Sequence, residues 1–188
     1  MLSKHKSIRK LAILALVLAA GSAMSVAQNT ATGVINATLI NKNGISLQFD
    51  SDPAGVTLGA AGTSAATAGF GTISAFGPLS GGVTRPSVTA ANFTVRTIFD
   101  VQVVQGGLTS PTYTLSANLA SAAPTGMTYK IDAVSLTTTA QTIQTNGAYN
   151  TDVAHNLDLV VSTSAPGAGG PVVNTTITTT INFTATAN

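Results

Sequence analysis

The feature that most constrains this chain is the period-two alternation of its last stretch, residues 172–186. Val173, Ile177, Thr179, Ile181, Phe183 and Ala185 fall in one phase; Thr176, Thr178, Thr180, Asn182, Thr184 and Thr186 fall in the other. Successive side chains of a β-strand point to opposite faces, so this pattern spells a half-buried strand with a threonine outer surface. Its apolar face has to be covered by another layer.

The same phase recurs upstream. Ile35, Ala37 and Leu39 alternate with Asn36 and Thr38, and Ile45, Leu47 and Phe49 alternate with Ser46, Gln48 and Asp50. Asn41-Lys42-Asn43-Gly44 lies between them, and Asn-Gly accepts the positive φ of a tight turn, so the two segments read as a hairpin. Phe93, Val95, Phe99, Val101 and Val103 share a face opposite Thr94, Arg96, Asp100 and Gln102. Tyr113, Leu115, Ala117 and Leu119 alternate with Thr and Ser. Tyr129 and Ile131 face in; beyond Ala133 the phase moves to Val134 and Leu136, the one-residue slip of a β-bulge. Leu157, Leu159 and Val161 make the penultimate strand, and Pro166 to Pro171 a loop before the last. Residues 53–91 are Gly- and Ala-rich, and read either as short strands near 56–58 and 72–76 or as a mobile insertion, with Phe70 and Phe76 pinning it to the core. Roughly seven to nine strands at spacings of about 8–12 residues describe an all-β chain, a single antiparallel β-sandwich.

Composition agrees. Charged residues are only 7% of the chain and Glu is absent, so straight-chain helix formers are scarce, while Thr, Val, Ile, Ala, Ser and Gly dominate. The first residues stand apart. Lys4, Lys6, Arg9 and Lys10 precede an apolar run from Leu11 to Ala20, and Ser25-Val26-Ala27 offers small residues for cleavage before Gln28. This is the layout of a signal peptide over residues 1–27. Its apolar run is too short for a membrane span, which needs about 20 residues. The mature chain, 28–188, reads as a single domain that is exported, to the periplasm, the medium or the cell surface, with no transmembrane anchor. With the leader removed, Lys42, Arg85, Arg96 and Lys130 face Asp50, Asp52, Asp100, Asp132, Asp152 and Asp158, a net charge of 4 − 6 = −2. No basic patch remains for nucleic acid. The chain has no Cys, so ladder hydrogen bonds and apolar burial must hold it without disulfides.

No set of side chains makes a defensible catalytic, metal or cofactor site. Asp50 and Asp52 could offer oxygens to Ca²⁺, but an Asx turn closing the strand explains them better. Asp152, His155 and Asp158 are close in sequence. His155 and Asp158 are an odd number apart, however, and face opposite ways in a straight strand, and no Gly-x-Ser-x-Gly elbow accompanies them. His155 reads as a solvated residue at a loop-to-strand junction. Tyr113 and Tyr129 fall in core phase, which leaves Tyr149 as the tyrosine available to stack on a sugar ring. The chain reads as non-enzymatic, with no cofactor.

An outer-membrane barrel would need aromatic girdles, and aromatics are only 5% of this chain, with no Trp. Two classes remain, a carbohydrate-binding sandwich and a structural surface subunit. For the second, the nearly uncharged closing strand and the alternating segment Thr32 to Ile40, directly after the cleavage site, carry a resemblance. In that layout the chain resembles bacterial fimbrial-type subunits with immunoglobulin-like folds, which exchange a terminal strand with a neighbour. Many such subunits carry a cysteine pair and a penultimate tyrosine; here Cys is absent and Ala187 is penultimate. The resemblance implies self-association, or association with other surface proteins, through strand edges. The candidate association strand is Ile177, Thr178, Thr180, Ile181, Asn182, Phe183 and Thr184.

The leader assignment has a direct check. Ala27→Leu should block processing, because the peptidase pocket beside the cut admits only small side chains. N-terminal sequencing that finds Gln28 at the start of that variant would refute the assignment.

Overall fold

The computed structural model describes residues 29–37, 45–50, 56–58, 65–106, 109–165, 167–171 and 174–188. The leader, the Asn41–Gly44 turn, Asp52 and Val173 lie outside the described residues. Within them every regular element is a strand: β1 (Asn29–Ala37), β2 (Ile45–Asp50), β3 (Val56–Leu58), β4 (Ala65–Ile73), β5 (Thr84–Val88), β6 (Asn92–Gln105), β7 (Tyr113–Leu119), β8 (Met127–Ile131), β9 (Val134–Ser135), β10 (Gln141–Gly147), β11 (Asp152–Ser162) and β12 (Thr176–Ala187). Twelve strands replace the expected seven to nine, because several are too short to show a period of their own.

They form two sheets packed as a sandwich. The first runs β10-β7-β12-β1-β4-β3 and the second β2-β6-β11-β8-β9, with β5 also paired to β6. β2 takes residues 100–105 of β6 and β5 takes residues 93–96, while β11 holds the opposite flank. Pairing is antiparallel except between β1 and β12, which run parallel from Thr30↔Thr176 to Ala37↔Phe183.

Alternation fills the space between the sheets. In β6, Phe93, Val95, Thr97, Phe99, Val101 and Val103 are buried, and in β7 Tyr113, Leu115, Ala117 and Leu119 are. β12 contributes Thr179, Ile181 and Phe183, the expected inward phase. The centre is aromatic. Phe183 of the first sheet meets Phe49 and Phe99 of the second edge-on, at ring separations of 5.5 and 5.6 Å, and those two rings lie 6.3 Å apart. Edge-to-face pairs of this kind are each worth about 0.5–1.5 kcal/mol beyond the burial of the rings.

Three local expectations are corrected. β1 and β2 do not form a hairpin, since β1 pairs with β12 and β4 whereas β2 pairs with β6 in the other sheet. Both segments have one apolar face, and alternation alone does not say which sheet receives it. The phase change after Ile131 is a tight hairpin turn rather than a bulge. Ile131 pairs with Val134, and the two residues between them, Asp132 and Ala133, have φ of 47° and 72°, the left-handed pair of a type I′ turn. Phe70 is fully buried, but Phe76 points outward with 88% of its surface exposed.

The turn generates a stability prediction. Left-handed backbone costs a residue with a Cβ about 1–2 kcal/mol. Glycine there gives back roughly 0.4–1 kcal/mol through the freer unfolded chain. Ala133→Gly should therefore stabilise by about 0.5 kcal/mol and raise the melting temperature by roughly 1–3 °C. A lowered melting temperature in calorimetry would contradict the turn assignment.

Candidate functional site

The association strand expected from the sequence is a central strand of the first sheet. On one side β12 pairs with β7, from Ile181↔Leu119 to Ala187↔Tyr113. On the other it pairs with β1 over residues 176–183. Ile181 and Phe183 are fully buried, Ile177 half-buried, and Thr180, Asn182 and Thr184 half-exposed on the outer face, with Thr178 exposed. Asn182, Thr184 and Thr186 lie opposite Asn118, Ser116 and Thr114 of β7, so β7 and β12 present an uncharged face of hydroxyls and amides.

Over residues 181–183 the backbone of β12 is paired on both flanks, by β7 and by β1, and over residues 176–180 β1 is its strand partner. β1 is hydrogen-bonded on both flanks, parallel to β12 and antiparallel to β4, from Asn29↔Ile73 to Asn36↔Ala65. Withdrawing it would open a slot between β12 and β4, with both walls offering unpaired N–H and C=O groups. Of the sheet margins, β2 is a regular six-residue edge strand, paired to β6 without a register shift; the others offer much less. β3 has three residues and β9 two; β5 carries Pro86; β10 shifts register twice against β7. Shortness, proline and bulges are the usual means of blocking edge-to-edge pairing.

The remaining candidates are drawn into the scaffold. His155 is not a junction residue. It sits inside β11, is 3% exposed, and lies 5.7 Å from the Phe99 ring. Its Nδ1 is 2.5 Å from Asp132 Oδ2, and Asp132 Oδ1 accepts the Asn156 backbone N–H at 2.8 Å. His155 Nε2 is buried without a hydrogen-bond partner, as is Thr97 Oγ1, so no hydroxyl is held for activation by this imidazole. Asp132 was invisible as the partner because its turn sits 23 residues away in sequence.

Asp158 faces the other way, as its spacing from His155 requires. It accepts a bidentate pair from Arg96, Nε to Oδ1 at 2.6 Å and Nη2 to Oδ2 at 2.8 Å. Hydrogen bonding to Asp158, reinforced by its charge, holds the Arg96 guanidinium above its ordinary value. Asp152 lies at the exposed start of β11, three residues before His155. Tyr149 is not free to stack on a sugar. Its ring packs 5.3 Å from Tyr113 and its hydroxyl donates to Thr112 O at 3.0 Å. Gly147 makes room beneath this pair, since a Cβ there would fall 2.3 Å from Tyr113 Cζ.

No protein-family model matches the sequence, and no curated protein matches it.

The inner tyrosines make the fold sensitive to alkali. Burial raises the Tyr129 hydroxyl above 10.0, partly offset by the hydrogen bond from Thr179; burial also raises Tyr113. A raised folded value means that the stabilising term is complete below the unfolded value, near 10, and is lost as pH rises through the folded one. Melting temperature should fall above pH 10. Tyr129→Phe should start lower, by about 1 kcal/mol for the lost hydrogen bond, yet decline less steeply with pH. Equal slopes in both proteins would show that Tyr129 does not carry the effect.

Proposed function

We propose that this is an exported, non-enzymatic structural or cell-surface subunit whose copies associate by strand pairing, one copy supplying its β1 to the slot between β12 and β4 of the next. The observation that carries the reading is the position of β1. The first strand after the expected cleavage site lies in the middle of a sheet, bonded on both flanks, while of the sheet margins β3, β5, β9 and β10 are short, bulged or interrupted by proline and β2 alone is regular. A terminal strand seated this way can be donated to a neighbour without any new kind of contact. That agrees with the fimbrial-type, immunoglobulin-like resemblance drawn from the terminal strands, and with the uncharged outer face of β7 and β12. The alternative of a carbohydrate-binding module loses its stacking residue, because Tyr149 packs on Tyr113.

The absence of native cysteine makes a clean test. Val34 and Thr180 are register partners, and neighbouring strands lie about 4.7–4.9 Å apart, within disulfide reach. Placed in one chain, Val34→Cys and Thr180→Cys should close an internal bridge. Placed in separate chains that are mixed and oxidised, they should give a covalent pair, accompanied by ladders or fibres in negative stain. Internal bridges without any cross-linked pair, at every concentration tried, would eliminate strand donation.

A further inference from the structure

We infer that Asn146 is a site of spontaneous modification, losing its side-chain amide to attack by the backbone nitrogen of Gly147 and adding a carboxylate to the β10 margin of the first sheet. The reaction is independent of strand donation.

Two separate demands of the fold place this dipeptide here. Between the pairs Gln144↔Leu115 and Gly147↔Tyr113, two residues of β10, Thr145 and Asn146, face the single residue Thr114 of β7. That is a β-bulge, and Asn146 takes its left-handed position, with φ of 54°. Among residues with a Cβ, asparagine is one of the few that adopts this backbone readily. The next position has no room for a side chain. A Cβ at Gly147 would fall 2.3 Å from Tyr113 Cζ and 2.6 Å from its Cε1 and Cε2. The ring has nowhere to retreat. It is fully buried, packs 5.3 Å from Tyr149, and its hydroxyl donates to Gln144 Oε1 at 3.4 Å. Left-handed backbone selects the asparagine and the tyrosine ring selects the glycine.

Asparagine followed by glycine is the pair that cyclises most readily, because glycine has no Cβ to shield the attacking nitrogen and turns freely about its backbone bonds. Asn146 is exposed, and its side chain makes no hydrogen bond among the described residues. The reacting atoms belong to neighbouring residues, so only local torsions of an unpaired bulge have to change. Gly147 N bonds to Asn146 Cγ and gives up its proton; the Cγ–Nδ2 bond breaks, and ammonia leaves with that proton. Water then opens the cyclic imide. Attack at Cγ gives aspartate in an unchanged main chain. Attack at the Asn146 carbonyl carbon gives isoaspartate, with the main chain rerouted through the side chain. The sum is water in and ammonia out. Either product puts a negative charge on a margin strand, where charge discourages pairing with another chain. The chain has only six acidic side chains, so one more is a large change.

Asn150 supplies the internal control. It is also exposed and left-handed, with φ of 58°, but Thr151 follows it, and a β-branched side chain crowds the attacking nitrogen. The processed protein is held folded in mildly alkaline buffer, and each asparagine is followed by peptide mapping, with isoaspartate scored by enzymatic methylation. Asn146 should lose its amide at least about tenfold faster than Asn150, a barrier difference of about 1.4 kcal/mol. Asn146→Gly keeps the left-handed backbone and should remove the conversion without lowering the melting temperature. The Asn43-Gly44 pair lies outside the described residues and is read as a separate peptide. Loss at Asn146 no faster than at Asn150 overturns the inference. So does conversion that begins only after denaturant has unfolded the chain.

Discussion

The structure depends on the contact between Phe183 of one sheet and Phe49 and Phe99 of the other. No disulfide joins the layers, and charges are scarce, so the sheets are held together by burying two alternating faces. These three rings are among the largest fully buried side chains, and each sits on a different strand, β2, β6 and β12. Burying a side chain of this kind contributes about 1.5–3 kcal/mol, and the edge-on geometry fixes how the sheets are set against each other. His155 belongs to the same cluster through Phe99. Its imidazole is oriented by Asp132 from the β8–β9 turn, so a polar group enters the core with one nitrogen hydrogen-bonded and the other buried without a partner.

Once β12 is committed to the core, its flanks determine what else can happen in the first sheet. β7 completes one flank and β1 the other. Elsewhere competing strand pairing is limited by two- and three-residue margins, Pro86 on β5 and the irregular register of β10, which leaves β2 as the regular edge. Outside the strands, Gly126 sits where a Cβ would lie 2.6 Å from Pro171 N, so the loop before β12 closes tightly over the start of β8. With the other margins irregular, the flank of β12 held by β1 and the edge strand β2 are the longest regular backbone ladders at which a further strand could pair.

Much of this was legible from period two alone. β6, β7, β11 and β12 bury nearly the residues their alternation marks, because a face that alternates cleanly has one orientation toward the core. What period two leaves open is the partner of each strand. β1 and β2 carry the same pattern and a turn signal between them, yet they lie in different sheets, and nothing local encodes the parallel register with β12. Burial of His155 was missed for a related reason. Histidine and Asp152 read as polar punctuation, whereas the phase of Leu157, Leu159 and Val161 already put position 155 on the inner face. That phase was the usable signal. Phe76 failed the other way: hydrophobicity suggested burial, but Gly77 and Pro78 allow a turn that Arg85 then fastens with the ring pointing out. A guanidinium that bonds backbone carbonyls eight and eleven residues away leaves no mark on hydropathy.

The position of β1 also bears on how association would be controlled. A strand seated in its own sheet and the same strand seated in a neighbour's make the same backbone bonds, so the ladder contributes almost nothing to the difference between monomer and assembly. Two other terms decide. One is effective concentration: an attached strand competes at the millimolar level typical of short flexible tethers, which favours the closed monomer in dilute solution. The other is the connection itself. β1 ends at Ala37 in one sheet and β2 begins at Ile45 in the other, so the closed form takes both strands from one molecule, and donation takes them from two. An additional contact elsewhere on the surface would act on the same balance by raising the local concentration of neighbours.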